Sequence, residues 1–417
     1  MKYGLIGEKL GHSFSREIHG KIADYKYELR EIPKEELDGF MKARDFAGIN
    51  VTIPYKEAVI PYLDEIDESA RSIGAVNTVV NRDGHLIGYN TDYAGAEAMI
   101  RYAGIELRGK KVLVLGTGGT SKTLSHVARD MEAAEIVTVS RTAREGCITY
   151  TDALENHADA DVIINTTPVG MYPMVDAIPI DIEKFANLSG VVDVIYNPLE
   201  TNLVRAARVR GIRATGGLYM LAAQAVYASA HFLGTDADDE LVRRVYFEVL
   251  RDKMNIVLCG MPSCGKTTVG KIIAEQTGRH FIDTDDMIRE HTGREIAEIF
   301  SSDGEAEFRT LERDAVASAA NMKGCVIATG GGAVIDPSNV DALRRVGMIF
   351  FIDRPLEMLT PTGDRPLSSD IEALTKRFKE RYPIYKSVAN RVIDGSGTPE
   401  EVAAAILEVF RDENSCN

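Results

Sequence analysis

Short runs of apolar, largely β-branched residues alternate with amphipathic stretches along almost the whole chain. That alternation predicts α/β domains built on mostly parallel sheets. In the first quarter, strands are expected near 2–7, 25–30, 47–51 and 76–82, with amphipathic helices between them. The run Lys111-Val112-Leu113-Val114-Leu115 opens a second block, continued by strands near 135–139, 161–164 and 191–194. From about 217 to 253 the pattern turns helical, broken by an acidic loop at 236–240. A new strand, Asn255-Ile256-Val257-Leu258, follows at once. No Pro-, Ser- or Gly-rich tether intervenes, so a domain boundary near Asp252 with a tight join is expected. Internal repeats and low-complexity tracts are absent from the sequence, and the acidic tail, 411–417, is expected to fray.

Composition narrows the function. The 417 residues suggest two or three domains, and an apolar share of 45% is enough for full cores. A net charge of −15 disfavours nucleic acid or an anionic membrane as partner, but leaves anionic small molecules open, since a few cations in a cleft set the local potential. The five cysteines form no C-x-x-C pair and the eight histidines no H-E-x-x-H spacing, so neither a disulfide framework nor a zinc site is signalled. With a strand-like start and no leader or membrane span legible, a cytoplasmic protein is expected.

Two glycine loops carry the candidate chemistry. Gly116-Thr117-Gly118-Gly119-Thr120-Ser121 follows the 111–115 strand and precedes a helix-like 122–131 segment. Glycines let the backbone approach a pyrophosphate whose charge rests on the N–H groups of a helix start. An ordinary strand–helix turn is the plain alternative. The next strand ends in Ser140-Arg141-Thr142-Ala143-Arg144, where an NAD site would place an acid for the ribose 2′-hydroxyl. Arg141 and Arg144 instead suit a 2′-phosphate, hence NADP, unless they are solvated loop cations.

Upstream, Gly11-His12-Ser13-Phe14-Ser15 offers two hydroxyls, and Asn50-Val51-Thr52-Ile53-Pro54-Tyr55-Lys56 ends a strand with a lysine. Gly74-Ala75-Val76-Asn77-Thr78 and Tyr89-Asn90-Thr91-Asp92 add carboxamide and carboxylate. Reduction of a carbonyl needs a proton donor at oxygen, and a lysine oriented by an aspartate supplies one. By spacing alone a lysine and an aspartate in loops are more often solvated surface charges.

These segments resemble shikimate dehydrogenase. So do Asn165-Thr166-Thr167-Pro168-Val169-Gly170-Met171, Asp193-Val194-Ile195-Tyr196-Asn197-Pro198 and the 217–225 segment from Gly217 through Gln224, so that the likeness covers about residues 1–250. The resemblance implies NADPH-dependent reduction of 3-dehydroshikimate to shikimate, with Lys56 and Asp92 as the catalytic pair. It implies Ser13, Ser15, Thr52, Asn77, Tyr196 and Gln224 at the substrate, and Gly116, Gly118, Gly119, Thr120, Ser121, Ser140, Arg141, Thr142 and Arg144 at NADP. Ser15 argues against quinate, whose enzymes often carry Thr there. The chain departs from the family at Thr117 and Thr120, usually Ala, and at Ser140, usually Asn.

The second loop, Gly260-Met261-Pro262-Ser263-Cys264-Gly265-Lys266-Thr267, fits G-x-x-x-x-G-K-[ST] between a strand and an apolar helix, 269–274. Backbone N–H groups would cradle phosphates, Lys266 would neutralise the β/γ oxygens, and the Thr267 hydroxyl would reach Mg²⁺. Cys264 reads as a small filler or, at a helix start, as an alkylation-sensitive thiol. Phe281-Ile282-Asp283-Thr284-Asp285 reads in two ways: a strand end whose two carboxylates point the same way, or a helix start capped by acids. Glu307-Phe308-Arg309, Thr329-Gly330-Gly331-Gly332 and Arg381-Tyr382-Pro383 add cations and a bare turn. Arg365 lies in a Pro/Gly/Thr-rich stretch suited to a mobile lid. Two converging arginines suit a carboxylated substrate, although isolated arginines are commonly surface charges.

In this order the motifs resemble shikimate kinase over about residues 254–411. The resemblance implies ATP- and Mg²⁺-dependent phosphorylation of the shikimate 3-hydroxyl. Asp285, Arg309, Gly331, Gly332 and Arg381 would meet shikimate, and Asp283 and Thr267 the metal. Lys266 and Arg365 would meet the transferring phosphate, and Gly260, Ser263, Gly265, Thr267 and Thr268 the nucleotide. Asp285 would accept the hydroxyl proton. Ser263 stands where relatives often have Gly, and 360–364 lacks the further Arg that relatives use against adenine.

The expected architecture is α/β throughout: an N-terminal α/β substrate domain (1–103 with 218–252), a Rossmann NADP-binding domain (104–217) and a P-loop kinase domain with a parallel sheet (253–417). The expected partners are small molecules, with a homodimer as the candidate assembly. Two other readings stay on the table: one half silent and acting as a binding module, or a quinate-type dehydrogenase joined to another small-molecule kinase.

Overall fold

The computed structural model describes residues 1–10, 14–359 and 371–415. The chain divides into two compact units, Met1–Val249 and Leu250–Asn417.

The first unit holds two sheets. One is built from β1 (Tyr3–Gly7), β2 (Tyr27–Glu31), β3 (Gly48–Val51), β4 (Glu65–Ile66), β5 (Thr78–Arg82) and β6 (His85–Tyr89), in the order β2-β1-β3-β5-β6-β4. β1 runs parallel to β2 and β3, whereas β5 is antiparallel to β3 and β6. β6 was not expected from the sequence. Its signal is the pair Asp83-Gly84, both at positive φ, a two-residue hairpin turn that matches the twist of its flanking strands.

The other sheet contains β7 (Lys111–Leu115), β8 (Glu135–Ser140), β9 (Ile148–Thr149), β10 (Val162–Asn165), β11 (Gly190–Asp193) and β12 (Arg213–Thr215), in the order β12-β11-β10-β7-β8-β9. Every pairing is parallel. β10 and β11 are buried at every residue, which is why they read as unbroken apolar runs rather than as alternation.

The second unit is built on β13 (Asn255–Cys259), β14 (Phe281–Asp283), β15 (Val326–Ala328), β16 (Gly347–Asp353) and β17 (Arg391–Asp394), in the parallel order β14-β15-β13-β16-β17. Its core gathers Ile256, Leu258, Ile327, Phe350 and Phe351 from the sheet and Ile273, Ile406 and Phe410 from the covering helices.

Helix bounds differ from the sequence reading in instructive places. The helix after the first glycine loop is Gly119–Asp130, three residues earlier than expected, because Gly118 takes the extended cap and Gly119-Thr120 complete the first turn. The helix after the second loop is Lys266–Thr277. The acidic tail does not fray at 411. Helix Pro399–Glu413 takes in its first three residues, and the buried Asn414 closes the helix by donating to Phe410 O at 2.8 Å. The 217–253 stretch resolves into helices Leu218–Leu233 and Asp239–Lys253. Among the described residues no helix is long and apolar enough to cross a membrane.

Candidate active sites

Lys56 and Asp92 come from separate segments, each pinned by its own backbone. Tyr55 is buried and donates its hydroxyl to Ile32 O at 2.5 Å, while the Lys56 carbonyl accepts Val76 N–H at 2.8 Å. Asp92 sits in the first turn of helix Thr91–Tyr102, capped by Asn90 Oδ1, which accepts Tyr93 N–H at 3.1 Å. The two side chains meet with Lys56 Nζ 2.6 Å from Asp92 Oδ2.

The pair lines a cavity of about 550 Å³. Ser15, Thr52, Asn77, Tyr196 and Gln224 line the same cavity, so five of the six expected substrate residues outside the ion pair converge on it. Ser13, the sixth, lies outside the described residues. Asn77 Oδ1 accepts from Thr91 N at 2.7 Å and from the hydroxyls of Thr78 and Thr91, which leaves its NH₂ as the donor end for the cavity. Gln224 reaches the site because helix Leu218–Leu233 lies hard against helix Thr91–Tyr102. A Cβ on Gly95 would stand 2.9 Å from Met220 O and 3.1 Å from Gln224 N. Tyr196 packs on Phe14 with ring centroids 5.4 Å apart, and burial raises its phenol pKa.

Asn50 belongs to the cavity wall but carried no assigned role in the sequence. Its Oδ1 accepts Tyr27 Oη–H at 2.6 Å and its Nδ2 donates to Thr78 Oγ1 at 3.0 Å. The only sequence signal was its place at the head of the Asn50–Lys56 segment. Nothing local tells a wall residue from a strand filler.

The first glycine loop lies at the carboxyl end of the central strand β7, beside β8. Gly116 N–H donates to Val139 O at 2.9 Å. Gly116 adopts φ +112°, and a Cβ there would meet Thr166 Oγ1 at 2.6 Å. Around Gly118 and Gly119 the space a Cβ would enter is open to 4 Å, the cradle a pyrophosphate needs. The exposed Arg141, Thr142 and Arg144 follow β8, and Arg144 Nη1 donates to Thr117 Oγ1 at 3.3 Å. Thr117, unusual for the family, thus ties the cation-bearing turn to the glycine loop. Ser121 and Ser140 are buried and serve the backbone: Ser121 Oγ donates to Gly116 O at 2.6 Å, and Ser140 Oγ accepts Thr142 N–H at 3.4 Å. Thr120 lines the Lys56–Asp92 cavity, so this loop and the ion pair share one space. The donor set fits a dinucleotide with a 2′-phosphate.

The second loop occupies the equivalent place, after the central strand β13. Gly260, Ser263 and Gly265 have φ of +147°, +64° and +98°. Lys266, 7% exposed, donates to Gly260 O at 3.0 Å and Met261 O at 2.9 Å. Thr267, in the first turn of helix Lys266–Thr277, donates from Oγ1 to Asp283 Oδ2 at 2.8 Å, with the exposed Thr268 beside it. That places two oxygens side by side, a pair that would suit Mg²⁺ if phosphates and water supplied its other ligands. Cys264 is buried, its Sγ 3.8 Å from Lys266 Nζ, in keeping with a filler.

Asp283 and Asp285 do not share a strand. β14 stops at Asp283, which caps helix Thr284–Thr292 by accepting Asp285 N–H at 3.0 Å. The strand reading is therefore corrected in favour of the capped helix. Asp285 lies in its first turn, against Gly330, where a Cβ would come within 2.6 Å of Asp285 Oδ1. Thr284 Oγ1 accepts Gly330 N–H at 2.9 Å and locks that approach. The turn continues into Gly331 and Gly332, on which two arginines converge. Arg381 Nη1 donates to Gly331 O at 3.0 Å, and a Cβ on Gly332 would stand 2.4 Å from Arg309 Nη1. Arg309 also donates to Glu312 Oε2 at 2.6 Å and Glu305 Oε1 at 2.9 Å. Burial pushes the Glu312 carboxyl up, and the Arg309 guanidinium pulls it part of the way back. Glu312 and Glu305 are members of this cluster that the sequence reading missed. Arg365 lies outside the described residues.

Comparison with known proteins agrees with both halves. Residues 5–79 match the family model described as the shikimate dehydrogenase substrate binding domain, and residues 262–411 the one described as shikimate kinase. The chain is 37% identical over 264 residues to the shikimate dehydrogenase (NADP(+)) of Clostridium perfringens, covering 59% of this chain and 97% of that protein. It is 42% identical over 255 residues to that of Halothermothrix orenii, covering 54% and 88%. Among solved structures, a chorismate mutase/shikimate 5-dehydrogenase fusion protein from Clostridium acetobutylicum is similar at TM-score 0.56 and 40% identity, over 60% of this chain and 96% of that one. The shikimate 5-dehydrogenase of Thermus thermophilus, in complex with NADP(H) and shikimate, is similar at 0.53 and 30%, over 60% and 99%. The chain therefore belongs to the shikimate dehydrogenase family, with a shikimate kinase domain following the dehydrogenase on the same polypeptide.

Proposed function

We propose that the chain is a bifunctional enzyme that reduces 3-dehydroshikimate to shikimate with NADPH and then phosphorylates the shikimate 3-hydroxyl with ATP. The observation that carries the reading is the Lys56–Asp92 pair, 2.6 Å apart, in the cavity that Thr120 of the dinucleotide loop also enters. A hydride source and a proton donor are thereby presented to one space.

Bound NADPH supplies the hydride. Lys56 delivers its ammonium proton to the substrate oxygen as the C=O bond becomes an alcohol, and Asp92 orients the ammonium. Ser13, Ser15, Thr52, Asn77, Tyr196 and Gln224 hold the hydroxyls and carboxylate, and Arg141 and Arg144 select the 2′-phosphate. In the kinase half Asp285 would accept the proton of the acceptor hydroxyl as the new O–P bond forms and the bond from the γ-phosphoryl group to ADP breaks, releasing ADP. Arg309 and Arg381 hold the acceptor carboxylate over the Gly331–Gly332 turn. Lys266 and Arg365 would neutralise the transferring phosphoryl group, and Thr267 and Asp283 would hold Mg²⁺.

A single mixture tests the whole reading: pure protein, 3-dehydroshikimate, NADPH, ATP and Mg²⁺, with shikimate 3-phosphate as the expected product. Accumulation of unphosphorylated shikimate would sink the kinase half of the proposal. Lys56→Ala should lower reduction by about 10²–10⁴-fold and leave phosphorylation of added shikimate unchanged. A homodimer in the cytoplasm completes the proposal. Light scattering should give twice the 45.7 kDa chain mass, and the monomer mass would refute the dimer.

A further inference from the structure

The carbonyl of Gly331 accepts two donors from helix Ile371–Val388. Arg381 Nη1 donates to it at 3.0 Å, and the hydroxyl of Tyr385, one turn further along the same face, donates to it as well. Gly331 is buried and Tyr385 fully so. The phenol ring packs on Phe351 of β16, with centroids 5.1 Å apart, and burial raises its pKa, so the group stays a neutral O–H donor. On its other side Gly331 touches the second glycine loop, since a Cβ there would stand 3.1 Å from Pro262 Cδ.

The two donors differ in what else they must do. Arg381 is one of the guanidiniums placed at the acceptor's carboxylate. Its five N–H groups lie in one rigid plane, so turning that plane onto a carboxylate changes the aim of Nη1. A buried carbonyl that loses its only donor carries the full cost of its desolvation. With Tyr385 in place, the Gly331 carbonyl keeps a donor when Arg381 turns.

We propose that Tyr385 is a positioning residue of the kinase acceptor site, holding the Gly331 carbonyl so that Arg381 can be drawn onto the acceptor's carboxylate without stranding a buried oxygen. The inference rests on the kinase reading above and deepens it by naming a residue that sets affinity for the acid through Arg381. Asp285 takes the hydroxyl proton, so Tyr385 acts on the KM for the acceptor and not on the chemical step.

Tyr385→Phe, made in the full chain, keeps the ring on Phe351 and removes only the hydroxyl. It should raise the KM for shikimate about 5–10-fold, with kcat and the KM for ATP within about twofold of wild type. The wild type should prefer shikimate to its methyl ester, and Tyr385→Phe should narrow that preference, because a neutral ester draws less on Arg381. In an Arg381→Gln background, adding Tyr385→Phe should raise the KM for shikimate no further. An unchanged KM for shikimate overturns the inference, as does an additive effect in the Arg381→Gln background. A parallel rise in the KM for ATP, equal weakening of acid and ester, or outright loss of phosphorylation also overturns it, because Tyr385 would then only pack the turn against Pro262. A wild-type protein that does not phosphorylate shikimate overturns the kinase reading itself, a result the variants cannot mimic.

Discussion

The two glycine loops hold the same place in their sheets, after a central strand and before a 12-residue helix, yet they deal with charge in opposite ways. The 116–121 loop carries no cation. It leaves open space over Gly118 and Gly119, and the arginines stand on the turn after the neighbouring strand, joined to it through Arg144 and Thr117. The 260–267 loop wraps around its own cation, with Lys266 buried against the carbonyls of Gly260 and Met261. A loop that delegates charge can vary its cofactor by changing a neighbouring turn. A loop that encloses its cation ties phosphate binding to its own folding. Glycine serves different masters accordingly: Gly118 and Gly119 make room for a ligand, whereas Gly260 makes room for Cys264 Sγ and Ile352 O, each about 3 Å from where its Cβ would be.

The contrast can be broken in several ways. Lys266→Ala should show the largest effect, a fall of about 10²–10³-fold in kinase kcat, because the enclosed charge has no substitute. Reduction should be unaffected, and a tenfold or smaller loss would mean that the loop delegates after all.

The next effect separates the halves by pH. Burial raises the Asp193 carboxyl to about 6, against offsets from Thr201, Ile195 N–H and Asn165. Its folded form holds the proton more tightly than the unfolded chain, so its contribution to stability falls as pH rises from about 4 to 6 and stays low above that. Burial lowers His19 to about 3, so its contribution runs the other way, full above the unfolded value of 6.5 and lost as pH falls. Asp193→Asn removes the first and leaves the second. The stability of variant relative to wild type should therefore rise by about 2–3 kcal/mol between pH 4 and 6. The temperature at which reductase activity is lost reads this, with kinase activity as the unshifted reference. A pH-independent difference would refute the buried-acid account.

Gly260→Ala should destabilise the kinase half by about 2 kcal/mol, since φ +147° is a conformation for glycine alone. Gly118→Ala should leave melting within about 0.5 kcal/mol of wild type and raise the KM for NADPH. If both substitutions act on stability, the division between ligand-serving and fold-serving glycines fails. Arg144→Ala should cost about tenfold in NADPH KM with little effect on NADH, because the delegated charge is exposed and shared with Arg141. The smallest change is Ser263→Gly. It relieves a non-glycine residue at φ +64° but adds unfolded-chain entropy, for a net effect below about 1 kcal/mol in denaturant titration.

Legibility followed range along the chain. Both loops, their strands and the Arg141–Arg144 turn could be read because a strand, a glycine turn and a helix start are specified within ten residues. The β6 hairpin was missed although Asp83-Gly84 announced it. Asp285 stayed ambiguous because one pattern of acids serves a strand end and a helix cap equally well, and only the stop of β14 at Asp283 separated them. Asn50 and Glu312 were unreadable for a different reason. Asn50 acts through partners more than twenty residues away, Tyr27 and Thr78, whereas Glu312 lies three residues from Arg309 and only its own burial beside that cation marks it out. The substrate residues from Ser15 to Gln224 were named through family likeness, and no local spacing joins them.

The sequence by itself determined which cofactor chemistry each half carries, because phosphate cradles are built from consecutive backbone N–H groups and the motif is the geometry. Tertiary structure alone decided where substrate meets that chemistry. Lys56 and Asp92 are 36 residues apart and touch because β3, β5 and helix Thr91–Tyr102 are bonded through Asn77 and Val76. Gln224 joins them because Gly95 lets two helices approach closely. Such contacts depend on packing between segments distant in sequence, which local pattern does not encode.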